Sequence, residues 1–480
     1  MKMNSPIPLA AEAGTAMETS FRVLHQASRR EPNVTAATRR DRLRRLRALL
    51  MQHKSEFEAA ISADFGHRSA HETRLAETVT VEAGIKLALR HLAGWMQSKR
   101  IRTQLPFMPG TNRLMPQPVG VVGIIAPWNY PLQLTLAPMT GAIAAGNRVM
   151  LKPSELTARF SAALGAAIGS YFDSTEAVVV QGGPDVAAAF SSLPFDHLLF
   201  TGSARVGRVV AEAAAKNLTP VTLELGGKSP AIIDRSADLT KAAHRIAVGK
   251  LVNAGQTCIA PDYVLCPHQY VDRFAELFFA SIATLYGFDP DNPDYSSIIT
   301  QSHYDRLESL LTNARSKGAR VESRSDGSSD WKLRRKFPPC LVLSPTNEML
   351  VSQEEIFGPI LPVVGYDRAD DAIAFVNARE RPLALYWFGM DANARDRVLQ
   401  ETVSGGVTIN DCLLHFVQEN QPFGGIGGSG MGTYHGEWGF RTFSKEKPVY
   451  LRPRFSAAVL MQPPYRKVFE RALAVLRWLT

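Results

Sequence analysis

Val119-Gly-Val-Val-Gly-Ile-Ile-Ala126 is an uncharged, apolar run halted by Pro127. A short stretch of this texture, rich in β-branched side chains and closed by a proline, predicts a buried strand that ends in a loop. A small-residue helix follows, and Asn147-Arg-Val-Met-Leu-Lys-Pro153 repeats the pattern as the next strand. The alternation continues with a strand over Ala177–Gln181, a helix over Pro184–Phe190 and a strand over His197–Thr201. A helix over Ala204–Lys216 and a strand over Val221–Leu225 complete it. Strand and helix alternating at this pace predict an α/β fold built on a parallel, doubly wound sheet. Past residue 227 the pattern restarts with Ala231–Asp234, a helix over 238–252, Asp262–Cys266 and a helix over 270–286. That restart predicts a second α/β domain. Residues 36 to about 100 read as helices, and the polar stretch Glu322–Lys336 reads as a surface excursion.

The bulk numbers agree with more than one domain, because 480 residues exceed what a single core usually serves. A composition of 45% hydrophobic and 21% charged residues excludes wholesale disorder. Four cysteines (258, 266, 340 and 412) are too scattered for a disulfide framework, and no Cys or His grouping has metal-ligand spacing. The expectations are therefore no metal and a reducing compartment, hence a cytoplasmic protein. The N-terminal twenty residues lack the apolar centre of a secretory signal, and no 18-residue apolar run predicts a membrane span. The net charge of +9 raises nucleic acid as a partner, but no helix-turn-helix, zinc-finger or aromatic RNA-binding pattern accompanies it. Arg39, Arg40, Arg42, Arg44, Arg45 and Arg47 interleave with leucines at helical spacing, which reads as a solvated amphipathic helix. Pro463 to Thr480 is also amphipathic and reads as packing on a neighbouring domain or subunit rather than on a membrane surface.

Two segments carry candidate chemistry. Asn253-Ala-Gly-Gln-Thr-Cys258-Ile-Ala-Pro261 sets a cysteine in a turn-forming, uncharged stretch, and Leu223-Glu224-Leu-Gly-Gly-Lys-Ser-Pro230 sets a carboxylate before a Gly-Gly turn. A thiolate is a nucleophile, and a covalent thioester needs an activated water for its release, which a carboxylate base supplies. A lone cysteine also fits a small buried hydrophobe. Asn129, held between Pro127 and Pro131, can aim its amide at an oxyanion, or it can satisfy its own turn. Phe200-Thr-Gly202-Ser203-Ala-Arg-Val-Gly207 replaces the missing GxGxxG as a strand–turn–helix able to approach a pyrophosphate. Such turns also serve merely as connections.

LELGGKSP (223–230), GQTCIAPDYV (255–264), PWNYP (127–131), KPSE (152–155), FTGS (200–203), EEIFGP (354–359) and PFGGIGGSGMG (422–432) resemble the segments of the aldehyde dehydrogenase superfamily, in its order. APDYV after the cysteine and SGMGTYHGEWGF near the C-terminus resemble its class 3 branch; VSGGVTIND with the following LLH and PFGG resembles the bacterial coniferyl aldehyde dehydrogenases. The resemblance implies a Rossmann-like cofactor domain over 1–99 and 119–226 and a catalytic domain over 227–429. It further implies a small β oligomerisation arm over 100–118 and 430–455, followed by a C-terminal amphipathic tail over 456–480. It makes Cys258 the nucleophile, Glu224 the deacylation base and Asn129 the oxyanion donor. Trp128, Lys152, Ser154, Glu155, Gly202, Ser203, Gly207, Leu225, Glu355 and Phe357 become cofactor residues. Glu155 suits the ribose diol of NAD, while Lys152 leaves NADP open. Tyr130, Leu134, Thr257, Ile259, His415, Phe416 and Phe423 are candidates for the substrate pocket through their nearness to these motifs. Cys266, Cys340 and Cys412 match no catalytic position.

The implied activity is oxidation of a small-molecule aldehyde to its acid through a thiohemiacetal and a thioester, in a homodimer. A coniferyl-type aldehyde is the implied substrate and a fatty aldehyde the alternative. Retention of Glu224 speaks against relatives that pass the acyl group to coenzyme A. A cofactor-free thiol esterase leaves the cofactor motifs unexplained, and a non-catalytic homologue leaves Asn129, Lys152, Glu224 and Cys258 unexplained as a set.

Overall fold

The run predicted as the first strand lies at Val121–Ile125, every residue buried, inside a six-stranded sheet. This computed structural model describes residues 9–325, 330–455, 459, 462–465 and 467–479. In spatial order the sheet reads Gly430–Met431, Val221–Glu224, His197–Thr201, Val121–Ile125, Arg148–Lys152 and Ala177–Val179, antiparallel only at its first pair. The chain starts at Val121–Ile125, builds outward through two strands, then returns to the other side of its starting strand. Such a reversal opens a crevice beyond the carboxyl ends of Val121–Ile125 and His197–Thr201, where doubly wound sheets bind ligands.

A second, seven-stranded sheet holds Arg320–Ser323, Cys340–Leu343, Ile360–Tyr366, Tyr263–Pro267, Pro230–Ile233, Ala384–Phe388 and Gly406–Ile409. Only its first pair is antiparallel. Its central strands are buried along their length, as expected of a parallel sheet covered on both faces. The strands and helices predicted over 119–286 differ from the observed ones by at most two residues at either end, and the five other strands of the second sheet were not predicted. The third sheet is antiparallel and half-exposed: Lys99–Ile101, Thr111–Pro118 and Ser444–Leu451.

Four sequence expectations need correction. Gly430–Met431, placed with the arm by resemblance, pairs instead with Leu223–Glu224 of the first sheet. The short helix Gly436–Thr442 packs on helix Gln133–Ala145, so the arm's return strand begins only at Ser444. The arginine-rich helix, Ala36–Phe65, is not a solvated face. Of the six arginines only Arg44 is exposed, and Arg39 and Arg42 are buried. Arg39 donates to the carbonyls of Val34 (2.9 Å) and Ala144 (3.1 Å), which lets a guanidinium stay charged inside the protein. Arg42 and Arg45 converge on Glu176, each at 2.8 Å. The polar stretch after residue 320 is also anchored: it starts in an edge strand, and Trp331 in the short helix Asp330–Leu333 is buried beside Tyr295. Residues 326–329 of that stretch, 1–8 of the N-terminus and 456–458, 460, 461, 466 and 480 of the tail lie outside the described residues. The described tail forms helix Lys467–Leu479, resting near the turn Leu105–Phe107. Among the described residues no helix is long and apolar enough to cross a membrane.

Burial raises the Glu176 carboxyl, but hydrogen bonds from Arg45 and Arg42 outweigh it and hold the pKa at about 2. A depressed pKa stabilises the fold above the ordinary value of 4.5, and that contribution is lost as pH falls toward 2. Glu176→Gln is therefore expected to lower stability by about 2–4 kcal/mol at pH 7 and far less at pH 3. Urea melts at the two pH values check this; equal losses at both would remove the ion pair as the cause.

Candidate active site

Glu224 closes its strand in the first sheet, and the chain crosses Gly226–Gly227 to enter the second sheet at Pro230. The loop carrying Cys258 feeds the next strand of that second sheet, Tyr263–Pro267. Carboxyl ends of one sheet thus face amino ends of the other. Asn129, in the loop leaving Val121–Ile125, joins the two sides: its Nδ2 donates to the Gln256 carbonyl at 3.1 Å. Asn253 Nδ2 donates in return to the Asn129 carbonyl at 3.0 Å. One Asn129 amide hydrogen is committed to this link, and the other is left for an oxyanion.

Cys258 is half-buried, whereas Cys266, Cys340 and Cys412 are buried. Burial, then the Glu355 and Glu224 carboxylates, push its thiol up to about 12, and the backbone N–H groups of Cys258 and Ile259 pull it back only in part. The resting pocket therefore keeps the thiol protonated. Glu224 is buried with neither carboxylate oxygen hydrogen-bonded, and burial holds its pKa well above the ordinary range. An orphaned buried carboxyl is costly, and Glu224 lies near enough to Cys258 for its charge to act on the thiol.

Glu355 is set against the Gly-Gly crossing. A Cβ on Gly226 would lie 2.2 Å from Glu355 Oε2, so only glycine permits this approach, and Gly227 takes φ +152°. Burial, then Asp262, push Glu355 up to about 8. Its segment is staked by Lys228, which bonds Asp262 and the carbonyls of Val351 (2.8 Å) and Glu354 (2.7 Å), and by Asp262 Oδ1, which accepts the Ile356 N–H at 2.8 Å. Phe357 takes φ +51°, a strained conformation for an aromatic residue, and its ring meets Trp128 edge-on at 5.4 Å. An open cleft beside them is lined by Ala204, Arg208, Gly226, Gly227, Glu355 and Arg381, among others. Cations, a helix N-terminus and glycine backbone in one cleft fit a dinucleotide pyrophosphate.

The remaining cofactor candidates fall into two groups. Ser203 caps helix Ala204–Ala215 through Val206 N–H at 3.4 Å, Gly202 N–H donates to the Glu224 carbonyl, and Gly207 packs beneath Leu225. Ser154 caps the turn Glu155–Thr157. Lys152 is buried, donating to the Pro153 carbonyl at 2.9 Å, while Glu155 is 42% exposed and 3.9 Å away. Lys152 is therefore not an exposed surface charge.

The pocket candidates also divide. Tyr130 and Thr257 meet hydroxyl to hydroxyl at 2.6 Å, and both are buried with Leu134 and Ile259. His415, Phe416 and Phe423 form a separate aromatic cluster with Tyr434 and His435. Tyr386 links the groups: its hydroxyl bonds the Ile259 carbonyl and its ring lies 6.1 Å from that of His415. His415 Nε2 and both His435 ring nitrogens lack hydrogen-bond partners, and burial depresses the two histidines to about 4 and about 3, so both rings are neutral. Tyr386, Tyr434 and His435 escaped the sequence reading. Tyr386 sits in an apolar strand that reads as core; Tyr434 and His435 lie within the SGMGTYHG segment, whose pattern gave them no separate signal.

The sequence pattern of the Aldehyde dehydrogenase family matches residues 10–449. A "Probable coniferyl aldehyde dehydrogenase" of Caulobacter vibrioides is 45% identical, covering 98% of this chain and 99% of its own. Among solved structures, the substrate-bound state of Staphylococcus aureus AldH superposes with a TM-score of 0.91 at 37% identity, covering 96% of this chain and 99% of that one. A Mycobacterium tuberculosis aldehyde dehydrogenase complexed with NAD+ superposes with a TM-score of 0.81 at 27% identity, covering 94% and 91%.

Proposed function

The chain belongs to the aldehyde dehydrogenase family, and on that premise we propose that it oxidises an aromatic, coniferyl-type aldehyde to its carboxylic acid, preferring NAD. This reading is supported by the Asn129 amide bonded to the Gln256 carbonyl in the Cys258 loop and by the electrostatic influence of Glu224 on the Cys258 thiol. The Cys258 thiol gives up its proton to water, the thiolate sulfur adds to the carbonyl carbon, and the resulting oxyanion takes hydrogen bonds from the second Asn129 amide hydrogen and the Cys258 backbone N–H. The cofactor, when bound, supplies a positively charged ring that favours the thiolate and accepts the hydride. Glu355, Phe357, Trp128 and Leu225 would hold its nicotinamide half. Gly202, Ser203 and Gly207 would hold the pyrophosphate, with Lys152, Ser154 and Glu155 at the adenosine ribose. Glu224 then removes a proton from water as the water oxygen adds to the thioester on Cys258, and the sulfur leaves as the acid forms.

The aromatic cluster of His415, Phe416 and Phe423 favours an aromatic acyl group over a saturated chain, because rings gain from stacked and edge-on contacts with one another. Exposed Glu155 favours NAD over NADP by charge repulsion of a 2′-phosphate. We assign the arm to subunit contacts in a homodimer: Ile101, Leu105, Phe107, Met108, Tyr450 and Leu451 are exposed along or beside it. Four unpaired cysteines suit a reducing, cytoplasmic setting. A panel of hydroxycinnamaldehydes and saturated aldehydes, assayed by nicotinamide absorbance with NAD and NADP, tests the reading. Higher kcat/KM for octanal or decanal than for coniferyl aldehyde would move the substrate to fatty aldehydes. Asn129→Ala is expected to slow first-turnover NADH formation by about 10²- to 10³-fold, the loss typical of one oxyanion donor. A parental rate in stopped flow would transfer that role to another group.

A further inference from the structure

A second set of charges stands behind the two catalytic loops. The chain after helix Ala36–Phe65 turns through Ala70–Thr73 into a π-helical turn, Arg74–Val79, and so gathers Arg68, Glu72 and Glu77. Arg68 and Glu77 form an ion pair at 2.7 Å with no side-chain exposure on either partner. The other oxygen of Glu77 accepts the backbone N–H groups of Leu132 (2.8 Å) and Gln133 (3.1 Å), directly after Asn129 and Tyr130. Glu72 Oε1 accepts the Asn253 N–H at 3.0 Å, and its Oε2 accepts the Ser296 hydroxyl at 2.7 Å. The Arg68 guanidinium also lies 4.8 Å from the Tyr130 ring centre, and Tyr130 bonds Thr257, the residue before Cys258.

Stability alone does not call for this arrangement. An ion pair without exposure loses its hydration, and well-packed apolar side chains often serve a core as well or better. The turn held by Glu72 is strained: Asn253 and Ala254 take φ +53° and +51°, a left-handed conformation that non-glycine residues adopt only where their surroundings enforce it. That turn aims Cys258.

We propose that Glu72 and Glu77 are positioning residues that hold the Asn129 amide and the Cys258 backbone N–H at one fixed separation. The proposal rests on the roles given to Asn129 and Cys258 above. Glu77 pins the start of helix Gln133–Ala145, and with it the Asn129 loop. Glu72 pins the left-handed turn, and the charge of Arg68, paired with Glu77, also acts on Glu72 across space. Without Glu72 the turn relaxes toward right-handed backbone and carries the Cys258 N–H away from the oxyanion. A misplacement of about 1 Å costs about 10²-fold in rate.

The test compares E72A, E72Q and E77Q with the parent in the full chain. Readouts are first-turnover NADH formation, aldehyde KM, NAD binding by protein fluorescence, and the melting temperature. E72A is expected to slow the first turnover about 10²-fold well below its melting temperature, with NAD affinity changed less than about twofold. E72Q keeps an oxygen for Asn253 N–H and an amide group for Ser296, so it is expected to recover to within about fivefold of the parent. E77Q keeps an oxygen for the Leu132 and Gln133 N–H groups but loses the charge facing Arg68, and is expected to fall about tenfold. A parental first-turnover rate for E72A overturns the proposal, as does E72Q no faster than E72A. Should E72A not fold, E77Q decides: a tenfold loss at unchanged NAD affinity supports the clamp, and a parental rate overturns it. If the parent oxidises no aldehyde, or C258S matches the parent, the site assignment itself fails, which is a different result from an active parent indifferent to E72A.

Discussion

Replacing Cys258 with serine is expected to lower aldehyde oxidation by at least about 10⁴-fold while NAD still binds, the scale of loss seen when an enzyme's nucleophile is removed. The site explains the size of the effect. Even sulfur is held protonated here, by burial first and by the Glu355 and Glu224 carboxylates next. A serine hydroxyl is a far weaker acid, and the backbone N–H groups of positions 258 and 259 cannot make up the difference. Cys258 is not among the residues that line the cofactor cleft, which include Arg208, Gly226, Gly227 and Arg381. Fluorescence titration with NAD and steady-state turnover, measured on the same preparation, separate the two properties. Parental turnover would dispose of the nucleophile assignment, since the buried Cys266, Cys340 and Cys412 offer no accessible replacement.

Glu224→Gln should leave first-turnover NADH formation close to the parent and slow steady-state turnover by about 10²- to 10⁴-fold, the range supplied by a general base. Acyl-enzyme then accumulates, visible as an NADH burst matching the enzyme concentration and as an acyl mass on Cys258. Both carboxylate oxygens of Glu224 lack a hydrogen-bond partner, so glutamine of equal volume fits without breaking a bond. Because burial raises the pKa of Glu224, its basic form is lost as pH falls through that raised value. The parent's deacylation rate should accordingly decline on the acid side at a pH above the ordinary carboxylate range, and the variant should not show that limb. Deacylation by the variant at the parental rate would require another base, for which Glu355, pushed up to about 8 and acting on the same thiol, is a candidate.

The candidate site was legible to unequal depth. Cys258, Glu224 and Asn129 stood out because each lies in a turn with distinctive neighbours. The strands that deliver them, Val121–Ile125 and Val221–Glu224, stood out because apolar runs between glycine and proline have few other readings. Tyr386 and Tyr434 remained hidden, since a tyrosine in the run Ala384–Phe388 has the same local signature whether its hydroxyl meets a core carbonyl or a pocket. Glu72 and Glu77 were read as ordinary helix residues, because a helical period says which face a side chain takes and not what meets it there. Arg39 and Arg42 misled for the same reason: charge predicts solvent until a carbonyl or Glu176 comes to it from far along the chain.

By itself the sequence determined the α/β alternation, the order of strands along the chain and the set of turns that present chemistry. These follow from period, proline and glycine, which act within a few residues. The tertiary structure alone decided that Cys258 is the cysteine left accessible, that its thiol rests protonated, and that Gly226 lies against Glu355. It alone brought the Asn129 loop onto Glu77, the partner of buried Arg68, and the Cys258 turn onto Glu72. Burial, ionisation and hydrogen-bond partnership depend on groups hundreds of residues apart coming together, and no local pattern encodes that meeting.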